Sequence, residues 1–535
     1  MPHNRRTFLQ ACAASAILSA CQSPSQTQAT ARSSSVFTHG VASGDPLADR
    51  VVFWTRALPA DGISPVEYSL VVATDPALTQ VVATASGITE AGRDFTIKED
   101  IALPFPGTTY YYRFSVGDEQ SPLGRTRTAP LGSNEHLRFA VVACSNYGNG
   151  YFNAYQQIAR RADLDAVIHL GDYFYAGASN AVRDTKPGGE VFTLEGYRQR
   201  FQQYRTDPDL LECHRQHPFI TIWDDHESAN NSFREGARAH GEGEGDWSDR
   251  KAASIQAYFE WLPVREQFNP LSNPNAHLYR KLQYGELLDL VMLDTRLLRD
   301  EPPADSPALC EPALTDPSRQ MLGEVQEAWL GEELRNSTAQ WRMIGTSVML
   351  GQWKIFGLPD QPTCGGLYLN ADQWDGFQVA RERIFDLLEE VPNCGFITGD
   401  IHSAWALDVV RDPNNPLAYN PVTGEGSLAV EFVSNSVTSA FPLDNGDLGF
   451  VGQNLHVKFI ETDMRGYMVM DITPERMQAD WWFVDTVAMP SEVEAFGESY
   501  ACDHGSNRVQ RIGSPSAEKS DAPALAPEDG ASTPV

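Results

Sequence analysis

From Val36 to about Pro130 short runs of β-branched and aromatic residues alternate with breaks at Pro, Gly and Asp. "VVFWTRA", "VEYSLVVAT", "VVATASG", "FTIKEDIAL" and "TTYYYRFSV" have the length and spacing of strands in a small antiparallel sandwich. "APLGS" (Ala129–Ser133) reads as a linker. After Glu135 the pattern changes. "LRFAVVACS", "AVIHLGD", "FITIWDD", "LLDLVMLD", "WRMIGTSVM", "CGFITGD" and "LAVEFVS" are unbroken apolar runs, as expected of strands covered on both faces. Helical patterns lie between them, at Asn153–Arg161 and Glu324–Asn336 among others. The expectation is an antiparallel β-domain over residues 36–130, followed by an α/β (α+β) domain over residues 136–504. Residues 505–535 are rich in Ser, Ala, Pro and charge, and read as a disordered tail. "GEGEGD" (Gly241–Asp246) reads as a solvated loop, with an ion site as the lesser alternative.

Several of the apolar runs end in polar residues of one kind. The first ends at Cys144 and the second at Asp172, with Tyr175 three residues on. The third ends at Asp224-Asp225-His226-Glu227, with Asn230-Asn231 beyond, and a later one ends at Asp400-Ile401-His402. Ligands of open α/β sheets bind at the carboxyl ends of strands. Each residue alone has an ordinary explanation. Cys144 would be a small core side chain and Tyr175 a core aromatic. Asp225 and Glu227 would be helix caps or solvated loop charges, His402 a hydrogen-bonded core histidine, and the asparagines turn formers. Their recurrence after strand upon strand points instead to a metal centre.

The donor types sort into two sets. A phenol with a free pKa of about 10 ligates only when deprotonated, which Fe3+ promotes. With Asp172, the Cys144 thiolate and the His402 imidazole, Tyr175 completes a set of S, O, O and N donors suited to a transition ion. Asp172 again, Asp225, Asp400 and a nearby Asn offer only oxygens, which favours a hard ion such as Ca2+, Mg2+ or Mn2+. Two metals bridged by one carboxylate form a template for phosphoester hydrolysis.

Charge and targeting signals narrow the picture. The 535 residues exceed what one core needs, and the formal charge of −30 argues against nucleic acid or an anionic membrane surface as partners. At the N-terminus, Arg5-Arg6, a short apolar stretch and "ILSAC" resemble a twin-arginine export signal with a lipoprotein cleavage site. Residues 1–21 are then the signal, Cys21 the lipidated first residue, and residues 22–35 a flexible tether. The apolar segment Phe8–Ala20 is too short to span a bilayer. The expected location is periplasmic or cell-surface. Of the remaining cysteines, Cys144, Cys213, Cys310, Cys364, Cys394 and Cys502, some could pair in an oxidising compartment; spacing does not say which.

The motifs resemble a known family. "GDYFY" is similar to the G-D-x-x-Y block of purple acid phosphatases and other metallophosphoesterases, and "WDDHE" and "GDIH" sit where those enzymes carry G-N-H-[ED] and G-H-x-H. Asp225 and Asp400 in place of Asn and His match the PhoD-type alkaline phosphatases. "FTHGVASGDP", "ACSNY", "HLGDYFY", "WDDHESANN", "LDTRLLRD", "NADQWDGF" and "ITGDIHSAW" read as that family's blocks in order, from Phe37 to Phe483. "LPFPGTTYYYRF" (Leu103–Phe114) is similar to the late strands of fibronectin-type modules. The resemblance implies a metallophosphoesterase sandwich behind an N-terminal antiparallel β-sandwich, an Fe3+–Ca2+ centre, and release of orthophosphate outside the cytoplasm. It places Cys144, Asp172, Tyr175 and His402 on iron, and Asp172, Asp225, Asp400 and Asn231 (in preference to Asn230) on calcium. His226 would face the phosphate as proton donor or transition-state stabiliser, and Arg296 would clamp phosphate unless it sits in a surface ion pair.

The leading expectation is a monomeric alkaline phosphatase, a phosphoric ester hydrolase acting on small phosphomonoesters with some phosphodiesterase activity. Its membrane contact would be through the lipid anchor alone. A phospholipase D-like diesterase of the same family is the alternative. A non-enzymatic surface binding protein is disfavoured by the intact Asp172, Asp225, His226, Asp400 and His402.

Overall fold

Two mixed sheets lie face to face in the computed structural model, which describes residues 36–528 apart from 274, 304–305, 361–364 and 442–451. The first has ten strands. Its centre is Leu137–Val142, Ala166–His169 and Pro218–Thr221, all parallel. The second has seven, with Leu288–Met292, Trp341–Thr346, Cys394–Thr398 and Ser427–Val433 parallel at its centre. Phe139, Val141, Ile168 and Ile220 of the first meet Met292, Met343, Ile397 and Phe432 of the second in one buried layer. The alternate residues Ala140, Val142, Val167 and Phe219 turn outward against the helices Asn153–Ala159, Leu194–Tyr204, Pro208–Gln216 and Trp247–Trp261. On the far side Val291, Ile344 and Phe396 pack on Gly323–Asn336 and Gln378–Glu390. Both faces of each central strand are therefore covered, which is why those strands are continuously apolar. Their carboxyl ends form one rim.

The strands expected over residues 36–130 are present, but the module does not close on itself. Val66–Ala73, Val81–Thr89, Thr109–Val116 and Glu119–Gln120 form a separate antiparallel sheet, which Gly124–Arg127 joins through Thr109–Val116. Its facing layer, Val41–Gly44, Arg50–Arg56 and Thr96–Ala102, is the end of the ten-stranded sheet itself. Val51, Phe53 and Ile97 from that layer pack against Leu70, Val72 and Phe114. The join is parallel pairing of Ser43 with Pro218 and Gly44 with Phe219. A Cβ at Gly44 would lie 2.5 Å from the Pro263 carbonyl oxygen and 2.6 Å from that of Phe219, so only glycine fits. Asp45 follows with φ 43°. Its amide donates to the Phe219 carbonyl at 3.0 Å, and its carboxylate accepts from the Arg265 amide at 2.9 Å and Arg280 Nη2 at 2.6 Å. The block "FTHGVASGDP" is thus a docking element.

The segment expected to be a disordered tail is laid down along the fold as far as residue 528. The Ser516 amide and hydroxyl donate to Asp480 Oδ2 at 2.8 and 2.5 Å, and Lys519 pairs with Asp165. Tyr111 donates to the Ala524 carbonyl at 2.7 Å, and the Ala526 amide donates to Gln216 at 2.8 Å. Composition misleads here because backbone groups and polar anchors hold most of the segment, with Val509 and Ala526 as its buried apolar side chains. The proposed signal and tether, with Cys21, lie outside the described residues. Cys310 is disulfide-bonded, whereas Cys144, Cys213, Cys394 and Cys502 are free.

Candidate metal centre

Four strand ends meet at the rim, and their backbones leave ordinary geometry there. Cys144, Asp172, Asn231, Asp400 and His402 all have φ between 54° and 61°. Non-glycine residues hold this left-handed region at about 1–3 kcal/mol each, typically where a functional site requires it. Five of the seven residues expected to hold metal share it.

Three overlapping donor clusters result among the described residues. Ligand atoms of Cys144, Asp172 and His402 lie within 4.8 Å of one another, as do those of Asp224, Asp225 and Asp400, and those of Asp172, Asp225 and His226. Tyr175 joins the first cluster: its hydroxyl is 3.1 Å from His402 Nε2 and accepts from the Ser439 hydroxyl at 2.7 Å. His402 Nδ1 lies 3.0 Å from the Ala440 carbonyl. A carbonyl only accepts, so Nδ1 carries the proton and Nε2 keeps its lone pair for a ligand. Asn231 adjoins the second cluster, its amide donating to Asp225 Oδ2 at 2.6 Å.

The scaffold beneath these groups is polar and buried. Glu227 accepts from the amides of Asp172, Tyr173 and Asp224 at 3.0, 2.6 and 2.8 Å, locking two strand ends together. Its reading as a cap was correct in kind, since Asp225–Glu227 is one 3-10 turn. Arg200 donates to the carbonyls of Tyr175, Ala176 and Gly177 and so fixes the loop after the strand.

Arg296 requires a correction. It neither lines the cavity nor forms a surface ion pair. It is fully buried, donating from Nε to Asp224 at 2.5 Å, from Nη1 to Asp372 at 2.6 Å and from Nη2 to Asp400 at 2.6 Å. With all three nitrogens engaged it positions carboxylates instead of clamping phosphate. Arg299 holds the other oxygen of Asp372 at 2.7 Å, and Gln373 donates to Asp400 Oδ2 at 2.5 Å. Sequence reasoning gave Asp372 and Gln373 no role, although both fall in the quoted block "NADQWDGF".

The electrostatics favour cations. Burial pushes the Asp172 carboxyl well above the usual carboxylate range, and the neighbouring carboxylates push it further. Burial also raises Asp400, to about 6 against the pull of Arg296, and raises the Cys144 thiol and Tyr175 phenol. His402 is lowered to about 4 by burial, hence neutral. Asp225 Oδ1, Asp224 Oδ2 and His226 Nδ1 are buried with no hydrogen-bond partner. Packed acids and orphaned acceptors in this number are costly without a compensating charge. The donor set therefore fits metal ions, with S, O and N donors on one side of Asp172 and oxygens on the other.

Above the centre opens a cavity of about 420 Å³. Its floor is Asp172, Asp225, His226, Asn231, Asp400 and His402; Asn230 also lines it. Trp353, Leu369 and Phe441 give it an apolar wall, and Arg238 lines its edge. The His226 ring lies over Tyr175, centroids 4.1 Å apart, and its amide donates to Asp172 Oδ1 at 3.1 Å.

Comparison with known proteins gives consistent results. Residues 139–481 match the family model described as PhoD-like phosphatase, and residues 21–130 match the model of the PhoD-like phosphatase N-terminal domain. Alkaline phosphatase D of Bacillus subtilis (strain 168) is 33% identical over 515 residues, covering 90% of this chain and 83% of that protein. A solved structure of PhoD superposes with a TM-score of 0.81 at 32% identity, over 90% of this chain and 93% of its own. A purple acid phosphatase from yellow lupin (Lupinus luteus) seeds shares the fold at a TM-score of 0.52 and 12% identity, over 86% of this chain and 73% of its own.

Proposed function

Since the chain belongs to the PhoD-like phosphatase family, we propose that it is an alkaline phosphatase that hydrolyses phosphomonoesters, and some phosphodiesters, to release orthophosphate. The observation that carries the reading is the meeting of Cys144, Asp172 and His402, with Tyr175 beside His402, and of Asp225 and Asp400, where Asp172, Asp225, Asp400 and His402 form the floor of one cavity. Cys144, Asp172, Tyr175 and His402 would hold Fe3+; Asp172, Asp225, Asp400 and Asn231 would hold Ca2+. Bound there, the two ions would supply Lewis acidity toward the phosphoryl oxygens and an activated water.

The chain's own groups do the rest. Ser439 donates to the Tyr175 oxygen and so favours the phenolate. His402, neutral and oriented by Ala440, presents Nε2. Arg296 and Gln373 hold the two oxygens of Asp400 at fixed positions. His226, anchored by its amide on Asp172 and by its ring on Tyr175, faces the cavity and gives a proton to the departing ester oxygen. The apolar wall of Trp353, Leu369 and Phe441 receives the organic group.

Elemental analysis of protein made in its native host, with chelation and add-back, tests the metals. Iron and calcium, with Ca2+ restoring activity better than Zn2+, are expected; stoichiometric zinc in a fully active enzyme would overturn the assignment. Export by the twin-arginine route and a lipid on Cys21 belong to the same reading. They predict that Cys21→Ser yields soluble or unprocessed protein, and a wholly soluble wild type would rule the anchor out.

A further inference from the structure

Beside the metal cavity lies a second chamber of about 430 Å³. Asn231, Arg238, Ser306 and Asp372 line both, so the two form one continuous cleft. Its further walls are made by Phe233, Ala237, Pro302 and Pro303, which are apolar, and by Glu301. The cleft thus offers two apolar surfaces: Trp353, stacked on Phe441 at 5.9 Å, in the metal cavity, and Phe233 with the two prolines beyond Arg238.

The chamber is a built site. Ser232–Phe233 and Gly236–Ala237 pair as a tight hairpin immediately after Asn231. The Phe233 ring lies across Gly236, where a Cβ would meet Cζ at 2.8 Å, so glycine sets the position of the ring. Arg299, fully buried, donates to the Ser232 carbonyl at 3.0 Å and to Asp372 at 2.7 Å, tying the hairpin to the carboxylate network under the metal ligands. The Arg238 amide donates to the Asn231 carbonyl at 3.3 Å, closing the hairpin onto the candidate ligand loop.

Resting on the phosphoesterase reading, we propose that this chamber receives the second ester group of a phosphodiester, with Phe233 as its apolar shelf and Arg238 at the junction beside the phosphoryl group. A monoester has one organic group and needs one apolar surface; a diester has two. With Arg296 sunk among carboxylates, Arg238 is the cation that the described residues bring to the walls of both chambers. Phe233, Ala237 and Arg238 therefore determine how well the enzyme takes diesters relative to monoesters.

The full chain, metal-loaded, is assayed on p-nitrophenyl phosphate and bis-p-nitrophenyl phosphate, which release the same alcohol. Ala237→Phe fills the chamber and should lower the diester-to-monoester ratio of kcat/KM about 10-fold or more, the scale on which a pocket discriminates by size. Phe233→Ala should lower it about 5-fold through loss of the ring contact. Gly236→Ala, which displaces the same ring, supplies the same test if either variant fails to fold. Arg238→Ala should raise KM on both substrates. A ratio that stays at the wild-type value in Ala237→Phe and in either ring variant, or that responds only to Trp353→Ala, would overturn the proposal. A wild type inactive on both substrates would instead remove the phosphoesterase reading beneath it.

Discussion

Arg296 Nη2 donates to Asp400 Oδ1 at 2.6 Å, beneath the floor of the cavity and out of reach of its contents. Asp400 is thereby held by a cation that never meets substrate. Arg296→Met should cost about 3–5 kcal/mol in unfolding free energy, because it leaves Asp224 and Asp372 buried with a missing partner. Denaturant midpoints measure this, and kcat should fall as Asp400 shifts. An unchanged midpoint with a raised KM would restore Arg296 as a phosphate clamp.

Tyr175 offers an optical test. A tyrosinate or thiolate on Fe3+ gives a charge-transfer band, so concentrated enzyme should be coloured. Tyr175→Phe should bleach or shift the band and reduce iron content. Ser439→Ala removes the 2.7 Å hydrogen bond to the phenol oxygen and should move the band while iron stays bound. Visible spectra beside elemental analysis separate the two effects, and a colourless active enzyme would end the Fe3+ reading.

His226 and Asp400 should part company kinetically. Asp400→Ala is expected to lose calcium and most of kcat. His226→Ala should retain both metals and lose about 10²–10⁴-fold in rate, the usual range for a general acid. The loss should be smaller on p-nitrophenyl phosphate, whose leaving group scarcely needs a proton, than on an alkyl phosphate. Equal losses on both substrates would remove the acid role.

Histidines away from the metal centre set an acid limit on stability. Burial lowers His39, His217 and His456 to about 3, with nearby Arg or Lys charge adding to the effect. Folded, these rings are neutral; unfolded, they take up protons below about 6.5. The unfolded chain then binds more protons, so stability is full above that pH and falls as pH drops from 6.5 toward 3. Each contributes up to about 1.4 kcal/mol per pH unit in that window. Urea unfolding of wild type and His217→Gln at pH 7.5 and 5.5 should show the difference; parallel slopes would refute it.

The strand ends could be read in the sequence because each is an apolar run that stops at a ligand-type residue, as at "VIHLGD". The rest was hidden for physical reasons. Arg296 sits in an ordinary loop, and its partners Asp224, Asp372 and Asp400 are far away along the chain. The left-handed backbone at Cys144, Asp172 and His402 leaves no trace, since no glycine marks it. The strands Arg465–Ile472, Arg476–Val484 and Glu494–Asp503 escaped because buried polar residues interrupt their apolar pattern. Asp471 among them is 2.7 Å from His136 Nε2, and Asp480 is bound by Ser516. Phe233 and Arg238 follow two asparagines that read as a turn, and a turn is what the structure shows, with a chamber beside it.

The parallel pairing of Ser43 with Pro218 imposes an order on synthesis. The strand Val41–Gly44 pairs at once with Arg50–Arg56, but its other edge stays open until Pro218–Thr221 has left the ribosome. Residues 36–130 alone would present an unpaired strand edge, a template for association with other chains. A fragment of those residues should therefore be aggregation-prone, and an arrested nascent chain should gain protease resistance in this region only after residues beyond Thr221 have emerged. The first module made thus waits for a strand of the second before its own sheet is paired, which couples the folding of the two.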